Sequence, residues 1–240
     1  MDNTKRQNPD YLECEKPWVY RCLIAAAGWF GAYTYFLRGG VFCNAQTANI
    51  VLFAMALGKG NWRGAAYLTV PITAYFAGAF CSEYLGKTVK RLHFLRWDTL
   101  LIGLEAATVF VIGCLPASVP DQVTQVTLNF ICSMQFNTFR QMEGIPASTT
   151  FVTNHIRQVG SHLAKYVRHR DAHSARLVKA HGSMLFFFFG GGVVSTVGCR
   201  LFGLFSVWGA AVILLAVFGR LAIADLSYEK DQLSRVPHGH

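Results

Sequence analysis

Charged side chains are scarce in this chain: 15% of its 240 residues are Asp, Glu, Lys or Arg, whereas 52% are hydrophobic. No polar stretch is long enough for a large soluble domain. Residues 1–18 are polar and of mixed charge, and they lack the short apolar segment and cleavage site of a secretory signal. These absences predict a single membrane domain over residues 1–240, with short tails at 1–18 and 225–240.

Recognisable catalytic and metal-binding patterns are also missing. The sequence contains no GxSxG elbow, HExxH pair, phosphate-binding loop or dinucleotide fingerprint, and its seven cysteines form no CxxC pair. Four histidines, His162, His169, His173 and His181, lie in or beside one basic stretch in which Asp171 is the only carboxylate. The sequence therefore predicts no cofactor and no metal site, and it favours a protein that is not an enzyme.

Long apolar runs are abundant by contrast. A transmembrane helix needs about 17 to 25 mainly apolar residues to match the hydrocarbon thickness of a bilayer. The predicted spans are Val19–Leu37, Ala65–Leu85, Thr99–Leu115, Ser183–Val197 and Leu201–Gly219, and a sixth, more polar span is Val123–Phe139. The predicted fold is an all-α, polytopic membrane helical bundle of about six spans, with the lipid bilayer as its partner.

Two polar, glycine-flanked segments interrupt this pattern and resemble each other. The first has Gly39 and Gly40 followed by the polar run 44–49, and the second has Gly144 followed by the polar run 148–155. We expect roughly Gly40–Leu57 and Pro146–Tyr166 to form short broken or re-entrant helices, the second starting near Pro146. Such a pair in corresponding positions of two halves indicates a transport-type site in a membrane protein.

The distribution of Lys and Arg predicts the topology, because cytoplasmic loops are enriched in these residues. Most of the 22 basic residues fall into clusters at 5–21, 87–96, 140–179 and 220–235. If both polar segments enter and return on one side, six spans place every cluster and both termini in the cytoplasm. Eight spans would place the 87–96 cluster on the opposite side. Six spans also give two halves of opposite orientation, 19–115 and 123–224, which form an inverted repeat.

Small residues support the duplication and predict where helices pack. The run 76–79, Phe-Ala-Gly-Ala, resembles the run 188–191, Phe-Phe-Gly-Gly, so that Gly78 corresponds to Gly190. Gly78 and Ser82 lie four residues apart, as do Gly191 and Ser195. Small residues at this interval allow close helix contact within a bilayer, and we expect helix–helix seams there.

The candidate pathway residues are the polar side chains of the two segments. They are Asn44, Gln46, Thr47 and Asn49 in the first segment, and Thr149, Thr150, Thr153, Asn154 and His155 in the second. Neutral amides and hydroxyls can replace part of a solute's hydration without trapping it, although interhelical hydrogen bonding would use the same residues. Glu105 lies inside a predicted span and should face protein or water, either as a proton or cation site or as a structural group.

The run from Tyr35 to Leu52, which contains Arg38-Gly39-Gly40 and Asn44-Ala45-Gln46-Thr47-Ala48-Asn49, closely resembles the signature of the bacterial YoaK family, also called DUF1275. A second family signature matches Phe139-Arg140, Gly144 and Thr149-Thr150. The resemblance covers nearly the whole chain and implies a bacterial integral membrane protein, without supplying a substrate or catalytic residue. The chain departs from the usual Thr-Gly-Asn in both halves, because it has Ala48 in the first and Thr153-Asn154-His155 in the second.

The leading hypothesis is a small-solute transporter or channel of the bacterial inner membrane, with a polar path between the two repeated segments. One alternative is an intramembrane enzyme that uses Glu105 or His155, which requires both residues to face one cavity. Another is a non-transporting scaffold. The basic stretch Arg157–Lys179 predicts contact with anionic lipid headgroups rather than with nucleic acid. The sequence leaves the solute, the coupling ion and the oligomeric state open.

Overall fold

The computed structural model of the protein describes residues 11–89 and 95–238. The described chain forms eight α-helices and one short hairpin: α1 Pro17–Leu37, α2 Gln46–Gly58, α3 Trp62–Val89, α4 Trp97–Cys114, α5 Asp121–Thr138, β1 Gln141–Met142, β2 Ile145–Pro146, α6 Thr153–His169, α7 Ala172–Phe202 and α8 Trp208–Leu226. The predicted all-α class is confirmed. Four residues of the predicted basic clusters, Lys5, Arg6, Lys90 and Arg91, lie outside the described residues.

Three helical stretches of the described chain are long and apolar enough to cross a membrane. They are Trp62–Gly86, Trp97–Cys114 and Ala172–Leu226. The last stretch joins α7 to α8 through a 3-10 turn that begins at Gly203, whose positive φ of 57° breaks the helix. The α7 helix begins well before the predicted span Ser183–Val197, because the polar residues 172–182 continue the same helix.

The helices pack in a paired arrangement. The most extensive contacts join α1 to α7 and α3 to α5, while α4 packs against α8. The short helices pack on the long helix that follows them, α2 on α3 and α6 on α7. Most other side chains of α2 are exposed, and Asn49 is its one buried side chain. The two short helices therefore lie at the periphery of the bundle.

The predicted seam on α3 is confirmed by its contacts with α5. A Cβ atom added at Gly78 would overlap the backbone carbonyl oxygen of Phe130. One turn further along, the hydroxyl of Ser82 donates a hydrogen bond to the carbonyl oxygen of Met134 at 3.3 Å. Glycine lets the two backbones approach, and the serine hydroxyl then finds an acceptor on the neighbouring helix.

The seam on α7 makes the same contacts with α1. A Cβ atom at Gly191 would overlap the carbonyl oxygen of Ala25, and the hydroxyl of Ser195 donates to the carbonyl oxygen of Trp29 at 2.9 Å. A Cβ atom at Gly190 would meet nothing within 4 Å. The runs 76–79 and 188–191 resemble each other in sequence, but Gly191, and not Gly190, is the glycine that faces the partner helix.

Several chain ends meet at one face of the molecule, which we call the N-terminal face. It contains the start of α1, the start of α4, the β-hairpin and the end of α8. Backbone N–H groups connect these segments, from Glu13 to the Glu229 carboxylate at 2.7 Å, from Arg96 to the Asp225 carboxylate at 3.0 Å, and from Glu143 to the Glu15 carbonyl at 3.0 Å.

Candidate functional site

After α1 the chain turns back into the molecule in residues 38–45, which we call the first break. Gly39 and Gly40 have φ values of 74° and 71°, a left-handed conformation that glycine adopts without steric cost. The buried Asn44 then donates from Nδ2 to the carbonyl oxygen of Ala27 at 3.0 Å. Ala27 is the central residue of α1. The α2 helix therefore begins near the mid-depth of α1.

After α5 a second break, residues 139–152, contains the hairpin. Glu143 and Gly144 form its two-residue turn with φ values of 45° and 76°, and Met142 pairs with Ile145. The helix expected to start near Pro146 starts instead at Thr153, because Pro146 belongs to the second strand of the hairpin. The prediction overlooked the Glu-Gly pair between apolar residues, which is the local signal for this turn.

Both short helices begin at the wall of one groove, with a volume of about 910 Å³. The first break contributes Asn44 and Ala45, and the second break with the start of α6 contributes Thr150 and Thr153. Phe188, near the centre of α7, lines the groove between them. Several exposed apolar side chains form its rim: Ile156, Phe189, Val193 and Val197. The groove is thus mainly apolar, with polar groups where the two helices begin.

Neither helix start is capped by a side chain. The N-cap residues Ala45 and Val152 make no side-chain cap hydrogen bond. The first N–H groups of an α-helix have no partner within the helix, and the helix dipole adds partial positive charge at this end. The two helix starts therefore supply hydrogen-bond donors and a positive potential at the groove.

A chain of amide side chains ties the first break to α5. Gln125 donates from Nε2 to the carbonyl oxygen of Arg38 at 2.6 Å, and Asn129 donates from Nδ2 to the carbonyl oxygen of Gln125 at 2.7 Å. Gln46 then donates to Oδ1 of Asn129, and Asn49 donates to Oε1 of Gln46 at 3.3 Å. The predicted pathway residues Gln46 and Asn49 thus hold the start of α2 against α5.

The second break is held by a buried pair of histidines. His155 places Nε2 at 2.9 Å from the carbonyl oxygen of Ser148 and Nδ1 at 2.8 Å from Nδ1 of His181. A carbonyl oxygen only accepts, so His155 carries its proton on Nε2. The unprotonated Nδ1 of His155 then accepts the Nδ1–H of His181. Gln135 completes the arrangement by donating to the carbonyl oxygen of Thr149 at 3.2 Å.

A second cavity, of about 420 Å³, lies beside the hairpin, and we call it the histidine pocket. His162, His173 and His181 line it together with Glu143 and Arg176. No group of three or more His, Cys, Asp or Glu side chains is placed to hold a metal ion within the described residues. This pocket contacts the histidine pair through His181.

The other predicted site residues lie apart from these contacts. Thr47 is exposed, and the side-chain Oδ1 of Asn154 accepts a hydrogen bond from Nη2 of Arg157 at 2.9 Å. Glu105 is fully buried in α4, and neither carboxyl oxygen has a hydrogen-bond partner among the described residues. Glu105 lines neither the groove nor the histidine pocket.

Several residues that hold or line the site were not among the candidate pathway residues. They are Arg38, Gln125, Asn129, His181 and Arg200. Gln125 and Asn129 lie four residues apart, so they share one face of α5, and this spacing was the signal that could have identified them. His181 carried no comparable signal, because its partner His155 lies on a different helix.

The long apolar helices and the two interrupted segments define a helical membrane protein. Within this class the chain belongs to the family described as "Protein of unknown function (DUF1275)", which matches residues 19–219. Comparison with curated proteins and with solved structures gave no match.

Proposed function

We propose that the protein is a small-solute transporter and that the groove is part of the solute's path. The observation that carries this proposal is that α2 and α6 both begin, without a side-chain cap, at one groove beside the centres of α1 and α7. Non-helical backbone at membrane depth is tolerated where protein buries it or where it lines a water-filled cavity. Paired helix starts of this kind bind polar parts of solutes in transporters.

In this proposal the chain crosses the membrane six times. The start of α1, the start of α4 and the end of α8 share the N-terminal face, which agrees with crossings by α1, α3, α4, α5, α7 and α8. In this arrangement the basic clusters lie on the same side of the membrane as the N-terminal face. By the enrichment of Lys and Arg in cytoplasmic loops, the N-terminal face and both termini lie in the cytoplasm of a bacterial cell, and the membrane is the inner membrane.

The two halves form an inverted repeat, with α1 to α4 corresponding to α5 to α8. If each helix is replaced by its counterpart in the other half, the α1–α7 contact corresponds to the α5–α3 contact. The α2–α3 contact corresponds in the same way to the α6–α7 contact. The helix–helix seams correspond in the same way. Gly78 and Ser82 of α3 contact α5, as Gly191 and Ser195 of α7 contact α1.

The broken segments repeat each other in detail. Each break turns through two consecutive residues of positive φ. In the first turn of α2, Asn49 donates to the carbonyl oxygen of Phe42 at 2.7 Å, seven residues earlier. In the first turn of α6, His155 donates to the carbonyl oxygen of Ser148 at 2.9 Å, also seven residues earlier. His155 thus has the structural role of Asn49, although the two side chains differ in chemistry.

The groove favours a solute that has an apolar body and an anionic or hydrogen-bond-accepting group. Its wall is mainly apolar, whereas the two helix starts offer N–H donors. Among the described residues, Arg200 is the one formally charged side chain that lines the groove. These features complement an amphipathic organic anion better than a cation.

The exposed face of α6 suits contact with anionic lipid. Ile156, Leu163 and Val167 are exposed on this helix and form an apolar stripe, while Arg157 and Lys165 are exposed beside it. An amphipathic basic helix of this kind lies at the boundary between headgroups and acyl chains. We propose that α6 rests on the cytoplasmic leaflet.

The enzyme alternative requires Glu105 and His155 to face one cavity. Neither the groove nor the histidine pocket is lined by both residues. A scaffold without a solute path remains the competing function, and the following experiment separates it from a transporter.

The experiment tests whether water reaches the two helix starts. Ala45→Cys and Thr153→Cys are introduced one at a time in a background in which the exposed Cys114 and the half-buried Cys22 and Cys81 are replaced by Ser, so that the four remaining native cysteines are buried. An anionic, membrane-impermeant methanethiosulfonate is then applied to each side of the membrane in vesicles. This reagent requires a thiolate, which forms only where water solvates it. A solute path predicts that both cysteines react from at least one side.

The matched control is Leu104→Cys, at an exposed position in the middle of α4 that lies far from both breaks in the sequence. We expect Ala45→Cys and Thr153→Cys to react at least about tenfold faster than this control. Equal, slow reaction at all three positions would refute the solute path and favour the scaffold.

A further inference from the structure

The histidine pair lies between the two larger cavities of the described chain. His181 lines the histidine pocket, and its partner His155 is bonded to Ser148, two residues from the groove-lining Thr150. Both imidazoles are buried, with His155 at 0% and His181 at 1% exposure. The pair is thus a short polar connection between the N-terminal face and the groove.

The hydrogen bonds allow the pair to take up one extra proton. In the neutral pair, Nε2 of His155 donates to Ser148 and Nδ1 of His181 donates to Nδ1 of His155. His181 uses Nδ1 for its hydrogen bond to His155, and its side chain lines the histidine pocket. Its unprotonated Nε2 is therefore the nitrogen of the neutral pair that can accept a proton while both hydrogen bonds are kept.

We propose that the His155–His181 pair is the proton-binding site that couples proton entry from the histidine pocket to solute binding in the groove. This inference rests on the proposed transport function. A proton from water in the pocket binds Nε2 of His181. The Nδ1 proton of His181 then moves to Nδ1 of His155, so that His181 becomes neutral and His155 carries the positive charge. The histidine pair gains one proton and no other atom.

The charge on His155 acts on the start of α6. His155 lies in the first turn of this helix, where the dipole is already positive, so the added charge is unfavourable there until an anion binds nearby. Bound anion and bound proton therefore stabilise each other, which is the reciprocity that coupling requires. The charged and titratable groups around the pair are Arg157 and His162 on α6, His173 and Arg176 on α7, Glu143 in the second break and Tyr11 before α1.

The test measures charge at the helix start with two reagents. Thr153→Cys is modified by an anionic and by a cationic methanethiosulfonate between about pH 8 and about pH 3, a range that extends well below the ordinary histidine pKa of about 6.5. The ratio of the two rates cancels the ionisation of the cysteine itself. One positive charge nearby should raise the ratio of anionic to cationic rate by at least about threefold as the pair is protonated.

His181→Gln removes the proton acceptor and should make the ratio independent of pH. His169→Gln is the matched control, because His169 is exposed at the far end of the same α6 helix and lines neither cavity. It should leave the rise in the ratio intact. A rise that persists in His181→Gln would overturn the proposal.

A second measurement needs no variant. Nitrogen-15 spectra of histidine-labelled protein report which imidazole nitrogen is protonated, and they should give an Nε2–H tautomer for His155 and an Nδ1–H tautomer for His181, with one shared proton uptake. Two histidines that titrate independently would refute the proton site, even if cysteine labelling supports the path. Slow labelling of Thr153→Cys with the expected spectra would instead refute the path alone.

Discussion

Gly191 of α7 faces the carbonyl oxygen of Ala25 on α1 so closely that no side chain fits between them. One residue earlier, Gly190 faces open space. A side chain therefore fits at one position and not at its neighbour, because successive residues of an α-helix point about 100° apart. This contrast supplies the first prediction.

Gly191→Ala should lower the free energy of unfolding by about 1 to 3 kcal/mol, because the methyl group forces α1 and α7 apart. Gly190→Ala, the same change one position away, should stay within about 0.5 kcal/mol of the parent protein. Unfolding in mixed detergent micelles, followed by circular dichroism, measures both. Similar losses in the two variants would contradict the close approach at Gly191.

Ser195→Ala tests the hydrogen bond that accompanies this approach. The variant loses the 2.9 Å bond from the Ser195 hydroxyl to the Trp29 carbonyl but keeps the small size of the side chain. Hydrogen bonds between membrane helices contribute about 0.6 kcal/mol on average, so we expect a loss of this order in the same unfolding assay. A loss as large as that of Gly191→Ala would mean that the bond, rather than backbone proximity, dominates the seam.

Glu229 should make stability depend on pH. Burial raises the pKa of its carboxyl above the ordinary value of 4.5. The folded chain therefore holds this proton more tightly than the unfolded chain. The resulting stabilisation is complete at low pH and is lost as pH rises through the raised pKa. Glu229→Gln should flatten the fall in melting temperature between about pH 4 and about pH 7.

The control for this titration is Asp231→Asn, an exposed carboxylate in the neighbouring turn. Its pH profile should follow that of the parent protein. If Glu229→Gln keeps the parent profile as well, another group at the N-terminal face controls the pH dependence.

Glu105 is a buried carboxyl whose two oxygens have no hydrogen-bond partner among the described residues. Leaving a buried polar group unsatisfied costs about 1 to 3 kcal/mol. Glu105→Leu has a similar volume and no polar group, so it should unfold at equal or higher denaturant. Glu105→Ala should gain less, because it leaves a cavity. A loss of several kcal/mol in Glu105→Leu would reveal a stabilising partner for the carboxyl.

Periodicity and small-residue spacing anticipated much of the helical arrangement. The apolar runs identified the long helices, and the spacing of Gly78 with Ser82 identified a seam that the structure confirms. The Gly39-Gly40 pair located the first break, whereas the second helix was placed too early because the Glu143-Gly144 turn was overlooked. These features depend on residues that are close together in the sequence, so one sequence is enough to predict them.

Contacts between distant segments were harder to anticipate. Gly190 and Gly191 are equivalent in sequence, and only the rotation of α7 against α1 selects the second. His155 and His181 meet because α6 folds back along α7, so neither position alone indicated a pair. Helix rotation and the path of a break are set by packing of the whole bundle, which composition and spacing leave undetermined.

The mid-depth start of α2, fixed by the bond between Asn44 and Ala27, also has an electrical consequence. Moving one elementary charge across a whole membrane changes its energy by about 2.3 kcal/mol for each 100 mV. In the proposed six-span arrangement, a charge that binds where α2 begins has crossed about half of the insulating layer, so it experiences about half of that energy. The occupancy of this site by any ion should therefore vary with membrane voltage.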